Sequence, residues 1–463
     1  MRAQRIYTDL VSFLTITACE IKKTVNNHGA AYIKGVIGSQ DDVLGKIQDV
    51  TWVTLYAENE WQEQKGIFAG IVESIQVYPE NGSTVCELNL TGATRLMDME
   101  RKVKAYQNSS MTYQSMMTGL STSYGAAFIG GDILQRPLGH FTVQYKETDW
   151  EFLLRMASNI GACVIPEYAM AEMRYYVGLP ELKNTFICDT QEYTQTKEIN
   201  CLRDYSGMLL QNTEIDDVVT FNHREILELG QAVDVGGSVY FVYKIESSLK
   251  NAELVHCYEL RRENGFEVKK FFNLKIVGAS LNAEILDVAK DKVKVCVKVD
   301  GKQNTAIAKW FTYSTVFSSP DGTGWYCMPE IGDHVRMYFP SENEEDAYII
   351  SSVHVDPGTG TARTNPDNKS IMNRYNKQIE LTPTSITLTN GNGMSIILDD
   401  EKGITIESDK NISFVAKEDF EILSTNSNVE ITAGEEVSLI QNDTSITLSK
   451  DITMNGRQLL VQQ

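Results

Sequence analysis

From Ile379 onward the hydrophobic positions form a ladder of apolar-x-apolar steps. The pairs are Ile379/Leu381, Ile386/Leu388, Ile396/Leu398, Ile404/Ile406, Ile412/Phe414, Phe420/Ile422, Val429/Ile431, Val437/Leu439, Ile446/Leu448 and Ile452/Met454. Most steps lie eight or nine residues apart, with Gly, Asn, Asp, Ser, Thr and Lys between them. An i, i+2 spacing puts both apolar side chains on one face of a strand and Thr, Ser or Glu on the other. A fixed step with turn chemistry at each break predicts a β-solenoid. One strand per step is too short to close a core alone, so copies of the same chain must supply the missing walls. The reading is a thin, rigid, intertwined oligomeric prism over 378–463. Its dry axis would be Ile404, Ile406, Ile412, Phe414, Phe420, Ile422, Val429, Ile431, Val437, Leu439, Ile446 and Leu448.

Upstream the period changes. Ala31–Ile37, Asp49–Tyr56, Gly66–Val77 and Thr84–Leu90 alternate or are β-branched, and Asn81-Gly82 between two of them is a hairpin signal. Residues 111–130 and 149–162 predict helices. The second would have Asp149 as N-cap and a stripe of Trp150, Leu153, Leu154 and Ala157. Trp150 and Phe152, two apart, cannot share one helix face, so one should anchor the helix to a barrel and the other meet a neighbouring subdomain. Strands resume at Cys163, again from Asp217 to about Phe271, and in a β block of Ala279–Val299 and Gly324–Val353. Residues 355–377 hold Asp356, Pro357, Gly358, Gly360, Asn365, Pro366, Asp367 and Asn368, a breaker-rich linker. Leu10–Cys19 imitates a secretory signal, but Asp9, Ser12, Thr15 and Thr17 interrupt it and a first β-strand is expected.

Composition sharpens this. At 463 residues the chain has room for three or four domains, and 42% hydrophobic content allows real cores. A net charge of −20 argues against a nucleic-acid partner, which needs a basic surface. Residues 396–436 hold eleven Asp/Glu against three Lys, which suits a soluble shaft. Cys19, Cys86, Cys163, Cys188, Cys201, Cys257, Cys296 and Cys327 form no CxxC and read as reduced thiols of a protein folded in the cytoplasm. No run reaches the ~20 apolar residues of a membrane helix.

Candidate chemistry is thin. The histidines are His28, His140, His223, His256, His334 and His354. His256-Cys257 is the nearest to a metal pair, yet neighbours on a strand face opposite ways. Asp399-Asp400-Glu401 could hold calcium but sits at a turn between steps. Glu147 and Asp149 are the sharpest carboxylate pair for glycosidic chemistry. Ile129-Gly130-Gly131-Asp132 lacks the Lys-Ser/Thr of a phosphate loop, and no nucleophile elbow occurs. No catalytic residue, cofactor or metal ligand is expected.

Three stretches together carry a family resemblance. Val143-Gln144-Tyr145-Lys146-Glu147-Thr148-Asp149-Trp150-Glu151-Phe152-Leu153-Leu154-Arg155-Met156-Ala157, ending at Gly161, resembles the hub signature of VgrG and phage tail-hub proteins. Phe68-Ala69-Gly70-Ile71-Val72 resembles that family's first-barrel hairpin. Gly324-Trp325 through Pro329-Glu330-Ile331-Gly332-Asp333-His334-Val335, with Tyr348–Val353 as a last strand, resembles the spike OB-fold. Leu227–Gly230 followed by Tyr240–Ile245 reads as a second barrel.

The resemblance implies a mainly β chain. A first hub barrel would span 1–110, an α/β subdomain 111–205, a second barrel segment 206–271, an OB-fold 272–356, a linker 357–377 and the solenoid spike 378–463. Glu147 would be a hub-contact residue. The resemblance further implies a homotrimeric spike and hub of a contractile injection system, with inner tube, baseplate components, a PAAR-type tip protein and, transiently, a target membrane as partners. Such a protein is made and assembled in the cytoplasm and can be released or fired. Met454, Leu459, Leu460 and Val461, around the turn Asn455-Gly456-Arg457, would form the tip platform. A trimeric receptor-binding or polysaccharide-degrading tailspike is the alternative, and a peptidoglycan hydrolase a third reading.

Overall fold

The computed structural model describes residues 5–38, 42–59, 61–181, 184–189, 192–200, 214–300, 305–355, 363–458 and 460. The chain divides into two compact units at Val355/Asp356. The first is dominated by a twelve-stranded sheet. One half runs, in hydrogen-bonded order, Arg5–Thr8, Trp52–Glu58, Gln64–Glu80, Ser83–Thr91, Ala30–Ile37 and Phe13–Thr24. The other runs Ser238–Lys250, Glu253–Arg261, Glu214–His223 and Tyr193–Asn200, with Ala232–Val235 and Phe186–Ile187 beside it. The halves are joined through the backbone, from Thr24↔Lys244 to Glu20↔Ser248. The second apolar run, expected to form a barrel, thus enters the same sheet as the first.

Strict alternation sets the faces. Along Ala30–Ile37 and Glu253–Arg261 every second residue is buried. Ile33, Phe68 and Leu88 from one half share a core with Val233, Val242, Tyr258 and Leu260 from the other. Asn81 and Gly82 both take positive φ, at 51° and 76°, between the paired Glu80 and Ser83. That is the two-residue turn whose twist suits a hairpin. The N-terminal apolar run is a strand, Phe13–Thr24.

Two helices, α1 (Tyr113–Thr122) and α2 (Asp149–Ser158), pack on a three-stranded sheet of Val164–Glu167, Arg174–Val177 and Ala127–Gly130. Helix α1 is shorter than the expected 111–130. Gly125 turns the chain at φ 62°, and Ala127–Gly130 then pairs in parallel with Arg174–Val177. The cap of α2 also differs. Thr148, not Asp149, is the N-cap: its hydroxyl accepts the Glu151 N–H at 3.0 Å while the Glu151 carboxylate accepts the Thr148 N–H. Thr-x-x-Glu is a capping box, which leaves Asp149 free for another partner. Trp150 lies against His28 of the first half, with centroids 4.6 Å apart, and Phe152 stacks on Tyr106 at 5.5 Å. Each ring thus takes its own neighbour.

Strands Ser280–Ala289, Lys292–Val297, Trp310–Thr312, His334–Tyr338 and Tyr348–Val353 form a five-stranded sheet, and a Tyr313–Ile349 bridge joins its ends into a small barrel. Gly332, at φ 93°, and Asp333, whose carboxylate accepts the Glu330 N–H, make the expected turn into His334–Tyr338. The two-stranded antiparallel sheet of Lys102–Tyr106 and Thr142–Glu147 lends Ala105 and Val143 to this barrel's core, beside Phe311, Val335 and Phe339. The α/β subdomain ends earlier than 205, because Phe186–Ile187 and Tyr193–Asn200 already belong to the second half of the large sheet. The end of that predicted span, 201–205, with Cys201, and the start of the next lie outside the described residues.

The second unit begins with an antiparallel meander: Lys369–Met372, Gln378–Leu381, Ser385–Thr389, Met394–Asp399 and Gly403–Ser408. A second one follows: Val437–Gln441, Thr444–Leu448 and Ile452–Asn455. Within one chain the ladder is therefore a folded-back ribbon and not the coil of a solenoid. The turns are too short to carry a strand over the previous one, so each strand returns beside it. No strand forms between Ser408 and Val437, so Ile412, Phe414, Phe420, Ile422, Val429 and Ile431 stand outside regular structure despite their spacing. Of the predicted linker, 357–362 lie outside the described residues, and the rest already contains Lys369–Met372.

A glycine shows how closely the first unit is packed. A Cβ on Gly66 would lie 2.3 Å from the Ala169 carbonyl oxygen, whereas one on Gly131 meets nothing within 4 Å. Gly66→Ala should cost about 1–3 kcal/mol through forced backbone shifts, read as a lowered melting temperature. Gly131→Ala should leave it unchanged. Equal melting temperatures for the two variants would contradict the packing described.

Candidate functional site

The hub motif folds into a buried ion network. Arg155 sits on the apolar face of α2, only 2% exposed. Its Nε and Nη2 donate to Glu147 at 2.7 and 2.8 Å, Nη1 donates to Glu344 of the small barrel at 2.9 Å, and Nη2 also donates to the Val143 carbonyl. Burial works against the charge on Arg155, but the two carboxylates outweigh it and hold the guanidinium more firmly protonated than usual. Arg155 is therefore the link to the small barrel, and Glu147 holds it in place. Asp149 has its own cage: it accepts from Lys102 at 2.6 Å, Gln144 at 2.8 Å and Tyr124 at 2.8 Å. Burial would raise its carboxyl, but those bonds prevail and hold it below the ordinary carboxylate range. Both carboxylates are consumed by structural partners, and neither faces an open groove with its pair.

A second charged cluster lies inside the large sheet. Lys23 is buried, 3.5 Å from the half-buried Glu228, which also meets Lys65 at 3.0 Å. Lys23 comes from one half and Glu228 from the other, so the pair crosses the seam. His256 is buried nearby with its Nδ1 2.6 Å from the Ser247 hydroxyl, and burial pushes its pKa down to about 3. Cys257, on the other face of the strand, is only partly buried. The two do not converge. At Asp399-Asp400-Glu401 the Asp399 carboxylate accepts the N–H groups of Glu401 and Lys402, a self-satisfied turn.

The C-terminal unit carries a different kind of site. Register aligns its apolar side chains into two unbroken columns, Ile371–Ile379–Leu388–Ile396–Ile406 and Leu381–Ile386–Leu398–Ile404. Every one of these side chains is exposed. Val437, Leu439, Ile446, Leu448, Ile452 and Met454 repeat the pattern in the second ribbon. The predicted axis residues 404 and 406 lie in the columns, and 437, 439, 446 and 448 in the second ribbon, whereas 412–431 stay exposed without strand partners. Of the tip residues, Met454 and Leu460 are exposed, and Leu459 and Val461 lie outside the described residues.

No protein-family model and no curated protein matches this sequence. Solved structures do share its fold. A type VI secretion component of Escherichia coli, described as similar to the T4 bacteriophage tail proteins gp27 and gp5, superposes with a TM-score of 0.52 at 11% identity, over 76% of this chain and 100% of its own. A half-lidded Francisella PdpA–VgrG complex gives 0.55 at 9% identity over 84% of this chain and 83% of the other. The lidded form gives 0.54 at 8%, over 85% and 76%. The class is one of fold, shared with a type VI secretion component and VgrG. In particular, the chain has the fold of VgrG and phage tail-hub proteins, as the three sequence stretches implied.

Sequence reading placed Glu147 at a hub contact but did not find its partner. The signal was present: Arg155 falls on the buried face of α2, where a lone charge requires a counter-charge. Glu344, 189 residues away, could come only from the fold. Arg155→Met should destabilise the first unit by about 3–5 kcal/mol, because two carboxylates lose their cation in a buried site. Chemical denaturation of the first unit measures it. A loss below 1 kcal/mol would show that the network is dispensable.

Proposed function

We propose that the chain is the spike-and-hub subunit of a contractile injection machine. Three copies would join an inner tube to a membrane-puncturing needle, contact baseplate components and carry a small tip protein of the PAAR type. The observation that carries this reading is the unpartnered apolar face that follows a hub fold. A soluble chain does not leave two aligned columns of Ile and Leu in water without a partner. Identical copies, each with the same columns, can close them around an axis. Residues 410–436 keep the apolar spacing but have no backbone partner among the described residues, and neighbouring copies would supply it. Two sheet halves per chain in a trimer give a pseudo-sixfold platform, which suits a sixfold tube.

The role is structural. Assembly in the cytoplasm, followed by release or firing of the particle, is part of the same proposal. The shared fold with a VgrG complex and a type VI secretion component supports it.

Light scattering should return three times 52.0 kDa at micromolar protein, and a monomer mass would sink the proposal. Ile412→Asp or Ile431→Asp would set three unpaired charges at the axis, a cost packing cannot offset. These variants should lose the SDS-resistant, protease-resistant trimer while the first unit keeps its spectrum and melting behaviour. A variant trimer as resistant as the parent overturns the axis assignment.

The end of the ladder exposes strand edges and apolar side chains, a liability unless covered. Deleting 455–463 should abolish co-purification of the tip protein and spare the trimer. Unchanged capture of the tip would place the capping surface elsewhere.

A further inference from the structure

The small barrel holds out an ordered apolar loop whose side chains no described residue of the first unit covers. Between Trp310–Thr312 and His334–Tyr338, the side chains of Val316, Phe317, Trp325, Tyr326 and Ile331 are 53% to 86% exposed. The loop is not loose. Trp325 N–H donates to the Phe317 carbonyl at 2.8 Å, and Ser319 N–H to the Thr323 carbonyl at 2.8 Å. The Thr315 hydroxyl donates to the Trp325 carbonyl at 2.7 Å, and the Tyr326 hydroxyl to the Lys290 carbonyl at 2.9 Å. Gly324, at φ 140°, has no room for a side chain: a Cβ there would lie 2.4 Å from the Phe317 carbonyl oxygen. Ordered backbone that presents three aromatic rings to water is how interface cores are built, where aromatic residues are enriched and supply most of the energy.

We infer that this loop is a contact between copies of the chain, packing Trp325 and Tyr326 against the small barrel of a neighbouring copy. The inference rests on the trimer reading above. Two observations select this occupant. The first is direction. Tyr348–Val353 runs antiparallel to His334–Tyr338 with Val353 opposite His334, so the chain leaves the barrel at the end that carries Ile331 and the loop. Copies joined through their C-terminal units are tethered by this end, which brings their loops together.

The second is charge. The loop 313–333 and the adjoining hairpin 289–294 carry Lys290, Lys292 and Lys294 against Asp291, Asp321, Glu330 and Asp333, a net of 3 − 4 = −1. In a chain of net charge −20 this is the kind of surface on which a second copy approaches without strong repulsion. It offers no basic excess to an anionic lipid or a nucleic acid.

Cys327, exposed and free within the loop, is a native probe. The experiment is iodoacetamide labelling of the full chain, quantified on the Cys327 peptide by mass spectrometry, with light scattering on the same sample. The denatured chain gives the rate of an open thiol. In the assembled protein, Cys327 should react about tenfold or more slowly, as expected where a packed contact excludes solvent. The double variant Trp325→Ala/Tyr326→Ala should restore fast labelling while the C-terminal unit keeps the trimer mass. A trimer whose Cys327 labels at the open rate overturns the loop contact and leaves the trimer reading standing. A monomer mass overturns both. Slow labelling that persists in the double variant also overturns the contact, because the protection then does not come from these rings.

Discussion

A strand satisfies its backbone only beside another strand, and this constraint organises the whole chain. In the first unit the constraint is met internally. Strand Phe13–Thr24 pairs on one side with Ala30–Ile37 and on the other with Ser238–Lys250, so two six-stranded halves become one sheet over one shared core. In the second unit it is met only in part. Short turns fold each strand back on the last, which pairs backbone with backbone but leaves a single layer with no second sheet behind it. Hydrogen bonding can be completed locally by such a ribbon, whereas apolar burial cannot. The function proposed here follows from that difference.

Charge placement separates the two units in the same way. Inside the first unit, ions are buried and matched across seams: Lys23 with Glu228 between the halves, Arg155 with Glu147 and Glu344 between hub and small barrel. Buried pairs add little net stability compared with apolar packing, but a broken pair is costly, so they admit one docking geometry and penalise others. In the second unit the carboxylates are exposed on a thin ribbon. Those charges keep the ribbon soluble and cannot fix its geometry, which is left to the aligned Ile and Leu columns.

What could be read from the sequence follows from the range of the interactions involved. The Asn81-Gly82 hairpin, the alternating strands and the two ends of the apolar ladder are local patterns, and each forms strands where its spacing put them, whereas the middle of the ladder does not. The spacing could not tell a ribbon from a coil, because both use the same i, i+2 faces. It also could not tell α1 from the strand that follows it. Ala127-Phe128-Ile129-Gly130 has no helical preference strong enough to resist pairing with Arg174–Val177, a partner more than forty residues away. The capping box was legible in Thr148-x-x-Glu151 and was missed because Asp149 is itself a good cap. Glu344 and Glu228 were out of reach, since nothing near either residue marks which distant cation it will meet.

The segment 410–436 is where the local and the assembled descriptions separate most sharply. Its apolar spacing is the same as that of the ribbons on either side, so side-chain pattern alone does not explain why it forms no strand in one chain. The difference lies in the turns. The ribbons are punctuated by Gly391, Gly393, Gly403 and Asn442, all at positive φ, which reverse the chain tightly. Between Ser408 and Val437 the one glycine is Gly434, without positive φ, and the breaks are Ser, Thr, Asn and Lys. Reversal without such a residue does occur, at Thr382-Pro383-Thr384 and Ser449-Lys450-Asp451, so the middle segment lacks the tightest turns rather than every means of turning. In the proposed trimer the strand periodicity of this segment would be satisfied by neighbouring copies. The ribbons at its two ends are the parts that one chain forms alone, and in the proposed assembly the middle of the ladder is the part that needs its neighbours.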